Sequence, residues 1–423
     1  MPLRAKPFKP TLQHTEPNKP KHKDMRLFEP TKEAALARLS QVDPAAYART
    51  RNAVDGAVTR LSPYLTHGLL SLREVYEAVH AKHPLPAQHK LVFELGWRAY
   101  WHHVWAHVGD GVHQSIHHGL LPDHAYQPHM PADVLEARTG VNAIDLAVRE
   151  LYETGYVHNH ARMWLASYVV HLRKVRWHVG AQWMLGHLLD GDVASNHLSW
   201  QWVAGTGSSK PYLFNADNVA KYAPAQWHSP GTVIDTSYEA LDHIARSAQD
   251  THQPARHLTA HAGVETPTLL TSPPDDCWSE PNHALAAGRD VWLVHPWSIS
   301  AEPPSPSGLA NEPLVIGIGF PQCHAHTPWS ARRWRFATDG MRAQTPVLWW
   351  ASVGQIAEAL RAAHTVQWQL NPHINAALNK LQMLLNAQPH GPVVVAHVQP
   401  CLFEPVQPYC KSFSQWWRKT SIA

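Results

Sequence analysis

The segment LLDGDVASNHLSWQW, Leu188 to Trp202, sets two carboxylates one residue apart ahead of an amide and two tryptophans. If Asp190 is buried it needs a cation, and Arg162 is the natural partner, because an unpaired carboxylate is costly in an apolar interior. Asp192 lies in an Asp-Gly-Asp turn, where its oxygens can accept hydrogen bonds from a polyhydroxyl ligand. Asn196 offers a donor and an acceptor together. Trp200 follows four residues later on the same helical face, whereas Trp202 is rotated by roughly 200° from Trp200. One tryptophan is expected to face inward and the other a ligand.

Two further stretches have the same character. In FELGWRAYWHHVW, residues Glu94, Trp97, Arg98 and Trp101 fall on one helical stripe, so that a carboxylate and a guanidinium sit among aromatic rings. In HNHARMWLASYVVHLRKVRW, one continuous helix brings Asn159, Arg162, Met163 and Trp177 nearly onto one face, since Trp177 lies five turns beyond Asn159. Apolar stripes are ordinarily core; here the polar residues lie inside the stripe.

These residues need a frame. With 423 residues, 44% hydrophobic and 16% charged, the chain can bury two domain-sized cores. From about Glu33 to Ala223 the apolar residues recur at helical spacing with no convincing strand, which predicts an all-α domain over 30–223. Residues 1–29, rich in Pro and Lys, read as a disordered leader, and 224–288, with its Pro and Ser clusters and one helix around Tyr238 to Ala248, mainly as a linker. Over 289–423 the runs DVWLVHP, PLVIGIGF, TPVLWWA and PVVVAHV alternate with helical patterns, which predicts a smaller α/β domain with a mainly parallel sheet.

Several function classes drop out. No Walker sequence or Gly-x-Gly-x-x-Gly after a strand supports nucleotide hydrolysis or dinucleotide binding. Cys277, Cys323, Cys401 and Cys410 lack metal-ligand spacing and are expected reduced and structural. The 33 histidines, the pair His102 and His103 included, read as compositional rather than as a metal site, and a net charge of +3 creates no strong field for polyanions. Without a membrane-spanning run or a signal-peptide pattern, a cytoplasmic monomer is the expectation.

Four segments in order, TRLSPYLTHGLLSLREVY (59–76), ELGWRAYW (94–101), HNHARMWLAS (158–167) and DGDVASNHLSWQW (190–202), resemble the photolyase/cryptochrome family. The resemblance implies an all-α domain binding FAD. Its cofactor contacts would be Tyr47, Thr59, Arg60, Leu61, Ser62, Arg98, Asn159, Arg162, Asp190, Gly191, Asp192 and Asn196, with Arg162 and Asp190 paired beside the flavin ring and Asn196 facing its N5. It further implies a light-driven carbon–carbon lyase that splits cyclobutane pyrimidine dimers in UV-damaged DNA, with Glu94, Trp97, Asn159, Met163 and Trp202 around the flipped-out dimer. Asn159 and Met163 match the cyclobutane-dimer branch. The alternative is a cryptochrome-like blue-light sensor that uses FAD without repair. Trp200 and Trp177 match the inner two members of the family's electron-transfer tryptophans, but the outer place falls on His124, with Tyr126 two residues on. The order of runs over 289–423 resembles the family's antenna domain in circularly permuted position; no antenna pigment is assigned.

Overall fold

A computed structural model describes residues 27–251, 263–300, 302 and 312–423 of the chain. Nearly all of the predicted leader lies outside the described residues. The helical half begins with α1 (Lys32–Ser40), α2 (Pro44–Thr50), α3 (Ser62–Thr66), α4 (Leu72–Lys82) and α5 (Lys90–Val108). It continues through α6 (Ala132–Leu135), α7 (Asn142–Thr154), α8 (Asn159–Ser167), α9 (Trp177–His187), α10 (Val193–Ala204), α11 (Ala216–Tyr222) and α12 (Tyr238–Arg246). No named strand interrupts it, as the helical spacing predicts. Local chemistry sets the boundaries: Ser71 and Glu74 close a capping box at the start of α4, and Asp192 caps α10 by accepting from the Ser195 N–H. Gly205, at φ 75°, ends α10 in the left-handed region that a side chain would disfavour.

One expectation is corrected here. Asn159 and Trp177 do not share a helix, because α8 passes into a π-helical turn at Tyr168–Leu172 and the chain then reverses through Lys174, at φ 53°. The Lys174 ammonium is buried and donates to the carbonyls of His171, Ile244 and Ala245, which offsets the desolvation of its charge. Trp177 opens α9 and faces a different cavity.

The C-terminal half carries β1 (Leu269–Leu270), β2 (Trp278–Ser279), β3 (Asp290–Val294), β4 (Leu314–Gly319), β5 (Trp329–Ser330), β6 (Leu348–Trp350), β7 (Thr365–Gln369) and β8 (Val393–His397). Around them lie α13 (His283–Ala286), α14 (Pro321–His324), α15 (Ala331–Arg342), α16 (Val353–Leu360), α17 (Asn375–Asn386) and α18 (Phe413–Trp417). Strands β1 and β5 form a short antiparallel pair, and the other six make one sheet of order β2-β6-β4-β3-β7-β8 in which every pairing is parallel. The predicted parallel sheet is present, and its order reverses between β3 and β7, as in a doubly wound fold. The stretch 224–288 is more than a connector, because β2 pairs with β6 and β1 with β5. Two-residue edge strands leave no alternating pattern to read, and the Pro and Ser residues around them dominate the local composition.

Packing does not follow the division read from composition. One apolar core runs from α1–α5 through Leu185, Leu189 and Leu198 into the sheet and on to Phe403, Phe413 and Trp416. A second core gathers α6–α12 around the fully buried Trp164. The early helices therefore pack with the α/β half, and α9 and α10 contribute to both cores.

Candidate active site

The DGD turn stands where the two cores meet. Arg162 Nη2 donates to both Asp190 oxygens, at 3.0 and 2.7 Å, and its Nε donates to the Val157 carbonyl. The pair lies in the wall of a cavity of about 110 Å3 that Asn159, Met163, Ser195, Asn196 and Trp200 also line. Asn196 donates to the Ala181 carbonyl, which fixes its amide, and Asn159 donates to the Met163 sulfur. Glu94, Trp97 and Trp202 do not line this cavity.

Each of those three has another setting. Glu94 pairs with Arg51 at 2.5 Å, and burial pushes its carboxyl above the usual range despite that cation. Trp97 stacks on Phe413 with ring centres 4.1 Å apart and planes 11° apart, so a face expected to receive a base is covered by the chain's own α18. No local pattern announces this, because the covering residue comes more than 300 positions later. Trp202 is 38% exposed and leans on Tyr212, whereas Trp200 is buried. The two tryptophans thus divide between interior and surface as their angular separation predicts.

Asp192 also departs from expectation. It has no exposed surface: one oxygen accepts from Ser195 N, and the other lies 2.8 Å from His102 and 3.5 Å from both Arg98 and His373. Burial alone would raise this carboxyl, but His102 and Arg98 hold it well below the usual range. Its acceptor capacity is spent inside the protein rather than on a polyol. Arg98 likewise serves the interior, donating to Thr66 Oγ1. Gly191 is a seat for another side chain, since a Cβ there would lie 2.2 Å from Arg333 Nη1. His102, read as compositional, and Arg333 and His373, invisible to motif reading, are the participants that sequence reasoning missed.

A second cavity, of about 340 Å3, is lined by Arg38, Tyr47, Thr59 and Arg60. Arg60 adopts φ 52°, and Thr59 Oγ1 accepts from the Leu61 N–H at 3.4 Å. Leu61 is buried with its N–H and carbonyl both engaged inside the protein, so it offers a ligand nothing, and Ser62 opens α3. Among the described residues, buried donors without a hydrogen-bond partner mark both cavities: the Ser195 hydroxyl in the first and Arg38 Nε beside the second. Burial raises the Tyr156 hydroxyl, and Arg162, whose guanidinium lies 5.4 Å over the Tyr156 ring, opposes that shift. A planar ring system against Arg162, Asp190 and Asn196, joined to an anionic group near Arg38, Arg60 and Thr59, fits this donor set.

Trp200 lines the first cavity and packs on Gly180, where a Cβ would come within 2.5 Å of its ring. Trp177, one helical turn away on α9, donates to Ser115 Oγ and lines a third cavity of about 280 Å3 together with Tyr126. His124 lies in the adjacent 3₁₀ turn, Asp123–Ala125.

Residues 91–265, from the first turn of α5 to beyond α12, match the family described as the FAD binding domain of DNA photolyase. A deoxyribodipyrimidine photo-lyase of Streptomyces griseus is 38% identical over 167 residues, which is 36% of this chain and 33% of that protein. Cryptochrome DASH of Danio rerio is 30% identical over 250 residues, 51% of this chain and 46% of its own. Among solved structures, a cryptochrome of Synechocystis sp. aligns over 46% of this chain and 44% of its own, at 29% identity and a TM-score of 0.42. The chain spans about half or less of the length of these relatives. Residues 91–265 therefore form a helical domain of the family that includes the FAD-binding domain of photolyases, with photolyases and cryptochromes among its relatives.

Proposed function

We propose that this protein repairs cyclobutane pyrimidine dimers in DNA under light. The observation that carries the reading is the cavity in which the Arg162–Asp190 pair, Asn196 and the unpartnered Ser195 hydroxyl face Asn159 and Met163. Arg162, Asp190 and Asn196 would hold the flavin ring, and Arg38, Thr59 and Arg60 its diphosphate, with Tyr47 alongside. When bound and reduced, the flavin supplies the light-driven electron that cleaves the dimer. The chain's own part is placement. Asn159 and Met163 receive the extruded bases, the exposed face of Trp202 replaces lost stacking, and Glu94, once turned from Arg51, hydrogen-bonds a pyrimidine carbonyl or imide. Trp200 and Trp177 relay electrons inward from the side of Tyr126.

The cryptochrome-like sensor is the second reading, and one observation favours it: Phe413 covers Trp97 and Arg51 engages Glu94, so two of the substrate-side groups are already occupied. In either reading the sheet order β6-β4-β3-β7-β8, which follows the chain as 3-2-1-4-5, supports 289–423 as a rearranged antenna-type domain. The test is illumination of the reduced, FAD-loaded protein with a dimer-containing oligonucleotide. Restored pyrimidines support the lyase; stable flavin photochemistry with no repair at saturating DNA moves the assignment to the sensor.

A further inference from the structure

We propose that Arg333 and His373, both from the α/β half, are positioning residues of the flavin site: they grip the Asp190-Gly191-Asp192 turn from behind. The inference rests on the flavin reading above.

The place of the grip is set by topology. A doubly wound sheet takes its ligand in the crevice beyond the carboxyl ends of the strands, where the strand order reverses. Here that point lies between β3 and β7, which are followed by His295, Pro296 and Trp297 on one side and by Asn371 and His373 on the other. The crevice is filled by the helical half. Val193 N–H donates to His373 Nε2 at 3.2 Å, and His67 bridges the carbonyls of Pro296 and Leu189. His373 stacks on Trp297, 5.3 Å between ring centres and 8° between planes, and its Nδ1 meets Asn371 Oδ1 at 2.9 Å. A proton held on Nδ1 leaves Nε2 as the acceptor that Val193 requires.

The second hold comes from α15. Arg333 is 1% exposed, its guanidinium lies 4.0 Å over the Trp329 ring, and it donates to the carbonyls of Leu185 (2.7 Å) and Gly191 (2.6 Å). Gly191 carries no Cβ, and that space is where Nη1 sits. Burial pulls the guanidinium down to about 9, opposed by the nearby charges of Asp190 and Asp192, so it remains a cation at neutral pH. It therefore fixes the turn's geometry and the field behind the Arg162–Asp190 pair. A contact that only glued the halves together would need neither the bond to the carbonyl at the centre of the turn nor the glycine shaped to admit it.

FAD is titrated into the full-length apoprotein, and the visible spectrum and midpoint potential of bound flavin are recorded for wild type, R333M, R333K, H373A, H373Q and R73M. R333M should weaken FAD by roughly tenfold or more, the loss expected for charge-assisted hydrogen bonds, and shift the flavin bands and potential. R333K should recover part of both. H373A should weaken FAD and H373Q, which keeps an acceptor for Val193, should restore it. Arg73, which holds Cys401 and Ala423 far from the turn, is the control: R73M should lower the melting temperature with FAD affinity and spectrum unchanged. If R333M does not fold, the His373 pair decides. Wild-type affinity, spectrum and potential in the folded Arg333 and His373 variants overturn the proposal while leaving the flavin reading standing; a wild type that takes up no FAD overturns both.

Discussion

Replacing Asp190 by Ala removes one half of the ion pair in the cavity wall. In the folded protein the Asp190 side chain is 4% exposed and that of Arg162 24%, so the variant strands a mostly buried guanidinium. Breaking a fully buried pair costs about 3–5 kcal/mol. Arg162 keeps a quarter of its exposure and its Nε bond to Val157, which brings the expected loss to about 2–3 kcal/mol. Urea unfolding of the apoprotein measures this without any flavin in the balance, and the slope should stay constant while the midpoint falls. FAD titration of the same protein should then show affinity reduced beyond the reach of purification. Arg162→Met in the Asp190→Ala background should return part of the stability, because an uncharged chain no longer has a stranded charge to bury, but no FAD binding. Unchanged unfolding with wild-type FAD affinity would refute the reasoning, and recovered FAD binding in the double variant would show that the pair holds the fold alone.

Other expectations follow from single features. Gly96→Ala would set a Cβ 2.4 Å from the Trp417 ring, so a loss of about 1–3 kcal/mol is expected in thermal unfolding, and Trp417→Ala in the same chain should remove most of the mutual penalty. Trp202→Ala should leave FAD binding intact and weaken dimer-containing DNA by about 1–3 kcal/mol in a binding titration; equal affinity for both proteins would remove Trp202 from the substrate face. His171 and His295 are buried neutral, and desolvation lowers each to about 4. The unfolded chain takes up these protons first as pH drops below about 6.5, so stability is full above that pH and is lost toward pH 4, by about 3 kcal/mol per histidine. Urea midpoints that stay level from pH 7 to pH 5 would contradict this.

What could be read in advance was whatever is local. The stripe on α5 and the helical character up to α12 repeat at the helical period, and β3, β4, β6 and β8 are short apolar runs bounded by their own turn residues. The Arg162–Asp190 pair was legible for a different reason: a buried carboxylate demands a cation, and few were offered. Trp177 was misplaced because no propensity rule reports a π-helical turn followed by a left-handed lysine. Asp192 was assigned to a ligand because its partners, His102 and His373, lie 90 and 181 positions away in the sequence. Glycine between two aspartates looks like turn chemistry, yet its absent Cβ answers to Arg333. The edge strand β2 hid in a stretch whose composition belongs to loops.

The core shared by the early helices and the α/β half has a consequence for synthesis. Arg73 bonds to Cys401 and Ala423, 328 and 350 residues later, and Gly96 and Phe93 receive Trp417. At about 5–20 residues per second, a ribosome needs on the order of 20–60 s to make the partners that α4 and α5 require. Through that interval the apolar faces of the first helices have nothing native to close on, while α6–α12, whose core is largely their own, can consolidate. The middle of the nascent chain is therefore set to fold before its beginning, and the first hundred residues are the part that needs shielding from aggregation during translation.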